Sequence, residues 1–181
     1  YQKLFNLCSK LMLEIIEGRK PVIAKVHGAA FAAGCQLVAS CDLAYSSTNA
    51  IFATPGVNIG LFCSTPMVAL SRKVNKKASM KMLLSGESIK AKYAKDIGLI
   101  NDCFSLSKLT KEVESIANII ASKSSLTISI GKKAFYKQLD MPLIKAYQYT
   151  SQVMTENMMF LDANEGISAF LEKRKPNWKN K

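Results

Sequence analysis

Residues Lys20–Ser47 read KPVIAKVHGAAFAAGCQLVASCDLAYSS, and the fold is decided inside this stretch. Pro21 opens the run Val22–Val26, rich in β-branched residues and closed by Gly28, which predicts a short buried strand. Ala29–Cys41 follows, made largely of small residues and free of proline, and predicts a turn leading into a tightly packed helix. Asp42–Tyr45 and Ile51–Ala53 read as two more short strands, separated by the polar turn Ser46–Asn49. Strand, helix and strand in this order predict a βαβ unit and place the chain in the α/β class. Ala29, Ala30, Ala32, Ala33 and Gly34 carry so little side chain that the backbone is free to approach a ligand or another backbone closely. Tight helix packing would use the same residues, and the residues alone leave both readings open.

On the N-terminal side, Leu4, Cys8, Leu11 and Ile15 recur at helical spacing, predicting a core helix that Gly18 stops. On the C-terminal side, helices are expected over about 66–73, 76–84 and 89–96, the last with Ser88 as N-cap and Gly98 as its stop. Leu99–Phe104 reads as a last short strand. A longer helix over about 107–121 puts Leu109, Val113, Ile116 and Ile120 on one face, and further helices lie near 125–138, 143–159 and 163–173. A change of character near residue 122 divides an α/β portion, 1–122, from an all-helical portion, 123–181. No internal repeat and no low-complexity linker is visible. The chain opens at Tyr1 inside a helical pattern, so the α/β portion reads as N-terminally incomplete, and the piece alone is expected to be poorly stable. Any targeting peptide is expected upstream of Tyr1, so its absence from these residues says nothing of compartment.

Composition narrows the function classes. With 181 residues, 49% apolar and 21% charged, the chain is that of an ordinary globular domain and not of a disordered or fibrous one. Lys and Arg number 25 against 13 Asp and Glu, a net charge of +12 that suits nucleic acid, anionic lipid or a phosphate-bearing small molecule. The lysines at 73, 76, 77 and 81 are scattered along helix surfaces without interleaved aromatics, so no nucleic-acid groove is expected. The five cysteines are odd in number and dispersed, with His27 the one histidine; neither a disulfide framework nor a metal site is expected. Residues 43–71 lack charge but contain Pro55, Pro66 and many polar residues, which argues against a membrane span.

Lys20–Ser47, followed by FATPGVNIGLF (Phe52–Phe62) and by EGISAFLEKRKPNW (Glu165–Trp178), resembles the enoyl-CoA hydratase/isomerase, or crotonase, family in order and spacing over nearly the whole chain. The resemblance implies a ClpP-like spiral of ββα units, with C-terminal helices that build a homotrimer or a dimer of trimers. It implies a mitochondrial protein of fatty acid metabolism whose partner is an acyl-CoA thioester. No separate cofactor is implied, since coenzyme A arrives as part of the substrate. In the family, two backbone N–H groups form an oxyanion hole for the thioester oxygen. By position the Ala33 N–H is one of them, at a helix start where unpaired N–H groups and the helix dipole favour an anion. The other would lie upstream of Tyr1. Phe31, Gly34, Asn58, Cys63 and Ser64 fall on pocket positions. Phe170 and Lys173 match the aromatic and lysine that meet the adenine and phosphates of CoA, often from a neighbouring subunit.

The sequence departs from the family at the chemistry. Hydratases of the family hold and activate water with two glutamates, and the matching positions are Gln36 and Gly56. Neither residue ionises, whereas a positioned acid–base group is worth roughly 10² to 10⁴ in rate, so ordinary hydration is expected to be very weak. The same loss at 56 argues against the usual double-bond isomerases. Asn58, Cys63, Ser64 and Thr65 offer polar groups that would orient water or a substrate carboxylate. The competing reading has Cys63 packing as a small hydrophobe and Ser64 and Thr65 capping the next helix. His27, at the end of an interior strand, is expected to be structural, and Asp42 a structural hydrogen-bonder. The basic tail (Lys173, Arg174, Lys175, Lys179, Lys181) reads as solvated surface or as the CoA contact. An active hydratase or other acyl-CoA lyase or isomerase with substitute groups, and a non-catalytic oligomeric interaction protein, are the competing functions.

Overall fold

The structure, a computed structural model, describes residues 1–181. The chain forms two compact units, Tyr1–Ile16 with Val22–Ala117, and Glu17–Pro21 with Asn118–Lys181.

In the first unit, helix α1 (Gln2–Glu17) precedes two strand–strand–helix turns. The first turn is β1 (Ile23–Val26), β2 (Ala29–Phe31) and α2 (Ala33–Ser40); the second is β3 (Leu43–Ser47), β4 (Ile51–Ala53), a 3₁₀ turn (Pro55–Ile59) and α3 (Ser64–Lys73). Each element of the first turn lies on its counterpart in the second. β1 runs parallel to β3 with Ile23 opposite Leu43, β2 runs parallel to β4 with Ala29 opposite Ile51, and α2 packs on α3. The ββα repetition expected from the resemblance is therefore present. The remainder of the unit comprises α4 (Lys76–Ser85), β5 (Ile89–Lys90), α5 (Ala91–Asp96), β6 (Asp102–Phe104) and α6 (Leu106–Ala121), the last crossing into the second unit. β6 extends the first sheet parallel to β3, and β5 closes the second antiparallel to β4.

The core explains the arrangement. Cys35, Val38 and Ala39 of α2 bury against Leu70 of α3, Phe52 of β4 and Met82 and Leu83 of α4. Each large apolar side chain in such a cluster stabilises the fold by about 1.5–3 kcal/mol. On the other face of the first sheet, Tyr45 packs with Leu109 and Val113 of α6, the face expected from their spacing. The Asp42 carboxylate accepts the Val22 N–H at 2.7 Å, joining the start of β1 to that of β3, which is the structural role expected of it.

Several local expectations are corrected. β1 is only half-buried. Ala29–Phe31 is a strand, not the expected turn, because register with β4 satisfies a backbone that its own propensity would leave irregular. Ser46 and Ser47 lie buried in β3, not in a turn, since their hydroxyls donate to the Ser47 and His27 carbonyls and so need no water. His27 itself is exposed, contrary to the interior position expected. Ser88 caps nothing: α5 begins after β5, with Lys90 in the cap position. In α1, Met12 and Ile15 are buried but Leu4 and Leu11 are exposed, so the leucine stripe does not face the core.

In the second unit, α7 (Ser125–Leu139), capped by the Ser124 hydroxyl, packs on α8 (Leu143–Met158), and α8 meets α9 (Leu161–Leu171). The tail returns along α9 to the start of α7. The Trp178 indole donates to the Ser122 carbonyl at 2.8 Å, and its ring lies over Gly166, where a Cβ would come within 3.3 Å of it. Buried Asp162 accepts the Ser124 hydroxyl and the Lys179 and Asn180 N–H groups. Leu143, Ile144, Tyr147, Met154 and Met159 remain exposed.

Candidate functional site

The parallel strands β2 and β4 end side by side at Phe31 and Ala53, and the Ala32 N–H donates to the Ala53 carbonyl at 2.9 Å. Crevices at the carboxyl ends of parallel strands are where α/β folds place ligands. Ala32 has φ +48°, a conformation rare for residues with a Cβ, and it swings the chain directly into α2. The Gln36 N–H makes the first helical bond, to the Ala32 carbonyl at 3.0 Å. The N–H groups ahead of it, Ala33 among them, have no acceptor within the chain. They present donors and the positive end of the helix dipole to whatever lies in front.

In front lies an apolar groove of about 610 Å³ between α1 and α2. Leu4, Leu7 and Leu11 form one wall and Ala33, Gly34 and Leu37 the other. No atom lies within 4 Å of where a Gly34 Cβ would stand, so this glycine keeps the groove open and is not forced by packing. Lys10 and Glu14 are the charged residues at the groove and form a loose exposed pair at 3.9 Å.

Gln36 is buried at 4% exposure, one turn into α2. Its Oε1 accepts the Cys8 thiol at 3.7 Å, and Cys8 also lines the groove. The amide is therefore held by a thiol, and a carboxamide has no useful basicity of its own.

Gly56 sits in the 3₁₀ turn that follows β4. Its N–H donates to the Cys63 Sγ at 3.3 Å, and its carbonyl accepts the Leu61 N–H at 2.9 Å. A Cβ here would stand 2.3 Å from the Leu61 carbonyl oxygen and 2.9 Å from the Cys63 sulfur. The turn closes over the spot from which an acidic side chain would grow.

Cys63 belongs to the core and neighbours Cys35. Burial first, and Cys63 second, push the Cys35 thiol up to about 12, so it stays protonated in neutral solution. Cys63 occupies the N-cap position of α3 without a side-chain cap bond. Ser64 donates instead to the Phe62 carbonyl at 3.3 Å, and the capping expected of Ser64 and Thr65 is absent. Asn58 is turned toward α4: its Oδ1 lies 2.9 Å from where a Cβ of Gly86 would be, and Gly86 closes that helix at φ +64°. Phe31 is exposed on β2.

Ala33 and Gly34 thus line the groove, Gln36 is tied to it through Cys8, and Gly56 and Cys63 are bonded to each other. In the second unit Phe170 and Lys173 are exposed at the end of α9. Sequence reasoning missed Leu4, Leu7 and Cys8 as groove wall. The signal was there, since Phe5, Leu7 and Leu13 extend the apolar stripe of α1 beyond what a single packing face uses. It also missed Thr54, wholly buried with its hydroxyl unpartnered, for which local sequence holds no signal. No group of three or more His, Cys, Asp or Glu side chains gathers as a metal site, and no helix is long and apolar enough to cross a membrane.

Known proteins resemble this chain in overall sequence and fold. The enoyl-CoA hydratase/isomerase family model matches residues 2–181. Human mitochondrial enoyl-CoA hydratase domain-containing protein 3 is 51% identical over 178 residues, which is 98% of this chain and 59% of that protein. The crystal structure of the human protein superposes with a TM-score of 0.96, covering 98% of this chain and 70% of that one. An enoyl-CoA hydratase structure from Mycobacterium smegmatis also gives 0.96, at 48% identity, covering 98% of this chain and 69% of that one. The chain spans about 59% of the length of the human relative it matches.

Proposed function

This chain belongs to the enoyl-CoA hydratase/isomerase family, and from that premise we propose that it binds an acyl-CoA thioester without carrying out ordinary hydration. The observation that carries the reading is the state of the two glutamate positions. Gln36 is a buried neutral amide, and Gly56 faces a carbonyl oxygen where its side chain would be. In this reading the Ala33 N–H holds the thioester oxygen, and the acyl chain lies along Leu4, Leu7, Leu11 and Leu37, each buried CH₂ adding about 0.8 kcal/mol. The same N–H and the helix dipole favour negative charge on that oxygen. A second donor, which family members place ahead of the residue matching Tyr1, completes the hole.

Phe170 and Lys173 hold the adenine and phosphates of coenzyme A, from a neighbouring subunit of a homotrimer or dimer of trimers. The apolar side chains left exposed on α8 and α9 support such an assembly. The role falls in fatty acid metabolism. Mitochondrial placement follows the relatives whose names carry it in human, rat and mouse.

The test uses the full-length protein. Calorimetry with a saturated acyl-CoA is expected to show binding, while the absorbance of a short enoyl-CoA decays at least about 10²-fold more slowly than with a two-glutamate relative. Turnover at the relative's rate would overturn the reading, favouring a hydratase with substitute groups. Absence of binding would overturn it in favour of an oligomeric interaction protein.

A further inference from the structure

Lys173 stands immediately after α9 with φ +54°. The turn around it is a complete Schellman motif: the Lys173 N–H donates to the Phe170 carbonyl at 3.2 Å and the Arg174 N–H to the Ala169 carbonyl at 3.0 Å. Glycine is the residue that takes this left-handed position without strain, having no Cβ to crowd the neighbouring carbonyl. A lysine here is strained, and such strain persists where the surroundings over-determine it, commonly at functional sites.

The surroundings do so. Arg174 places Nη1 and Nη2 on the two oxygens of Glu165, at 2.6 and 3.0 Å, and Nε on Glu172 at 2.6 Å. The same Glu165 accepts the Asn177 N–H at 2.7 Å, tying the chain beyond the turn back to the body of α9. The two adjacent cations therefore have different fates. The Arg174 guanidinium is taken up by carboxylates, whereas the Lys173 ammonium is exposed and pairs with no group in the chain.

We propose that the Glu165–Arg174 fork is a positioning device that braces this strained turn and so holds the Lys173 ammonium, unpaired, for the phosphates of a bound CoA ester. The inference rests on the acyl-CoA reading given above and deepens it. A bidentate fork fixes direction as well as distance, which a lone flexible lysine does not. The device acts on the anionic end of the ligand and leaves the acyl end untouched.

The experiment compares two ligands on the full-length protein: an acyl-CoA, and the matching acyl-pantetheine, which lacks the phosphates. Arg174→Gln is expected to weaken acyl-CoA binding by about tenfold, the loss of one charge-assisted contact, while acyl-pantetheine stays within about twofold. Lys173→Met reproduces that split with Tm unchanged, because the strain remains. Lys173→Gly reproduces the split and raises Tm by about 2 °C, because the strain is relieved. If the wild-type protein binds acyl-CoA but Arg174→Gln weakens both ligands equally, or if Lys173→Gly keeps full acyl-CoA affinity, the fork is a purely structural clamp and the proposal falls. Wild-type protein that binds neither ester sinks the acyl-CoA reading itself, and the proposal with it.

Discussion

Cys63 accepts the Gly56 N–H at 3.3 Å, and its sulfur stands 2.9 Å from the point where a side chain at 56 would begin. The Leu61 carbonyl is closer still, at 2.3 Å, and it is backbone, so it yields only if the turn moves. Gly56→Ala is therefore expected to lower stability by about 1–3 kcal/mol, read as a fall in denaturant midpoint. Gln36→Glu combined with Gly56→Glu is expected to leave hydration unrestored. An unchanged midpoint for Gly56→Ala, or recovered hydration in the double variant, would show that the turn opens freely.

Gln36→Glu alone makes a different prediction. It puts a carboxyl at a site 4% exposed whose one partner is the Cys8 thiol, a weak donor. Burial disfavours the charged form, so the folded-state pKa lies above the unfolded value of about 4.3. The variant's stability relative to wild type is then greatest below that value and declines as pH rises through the folded pKa. Urea titrations between pH 4 and 8 should show the gap between the two proteins widening; a constant gap would mean that the carboxylate finds solvent.

Acid acts on the second unit through Glu165. Hydrogen bonds from Arg174, then from the Asn177 N–H, hold its carboxyl down at about 2, against an ordinary 4.5. A depressed folded pKa gives stability that is present above about 4.5 and is lost as pH falls toward about 2. Asp162 is also lowered: burial opposes the shift, but bonds from Ser124 and the Lys179 and Asn180 N–H groups outweigh it. Arg174→Gln should move the acid transition to higher pH. Trp178, the single tryptophan, reports it by fluorescence from within the tail.

Thiol reactivity should be ordered by environment. Cys35, with its thiol pushed up to about 12, is expected to be modified last, at the rate of global unfolding. Cys8, half-buried at the groove, is expected among the first. Peptide mass spectrometry after alkylation at pH 8 measures both, and a bound acyl-CoA should protect Cys8. Labelling of Cys8 indifferent to ligand would place the acyl chain outside this groove.

Much of the architecture was legible because its signals are local. The β-branched Val22–Val26 run gave β1, and Leu109 and Val113 at helical spacing gave the buried face of α6. What escaped is set by distant partners. Ala29–Phe31 becomes a strand through β4, and Ser46 and Ser47 become core because backbone carbonyls satisfy their hydroxyls. At the site, the neutral residues at 36 and 56 could be read directly, whereas the steric closure over Gly56 could not, since it depends on how the turn brings Leu61 back. The leucines of α1 announced an apolar surface without telling which side of it would be left open.

The Leu61 oxygen over Gly56 also bears on descent. A single codon change can supply an acid at 36, but an acid at 56 needs a second, simultaneous rearrangement of the 61–63 backbone before it is tolerated. A chain that gains the side chain before that backbone moves is expected to be weakened, so position 56 resists stepwise substitution in a way that position 36 does not.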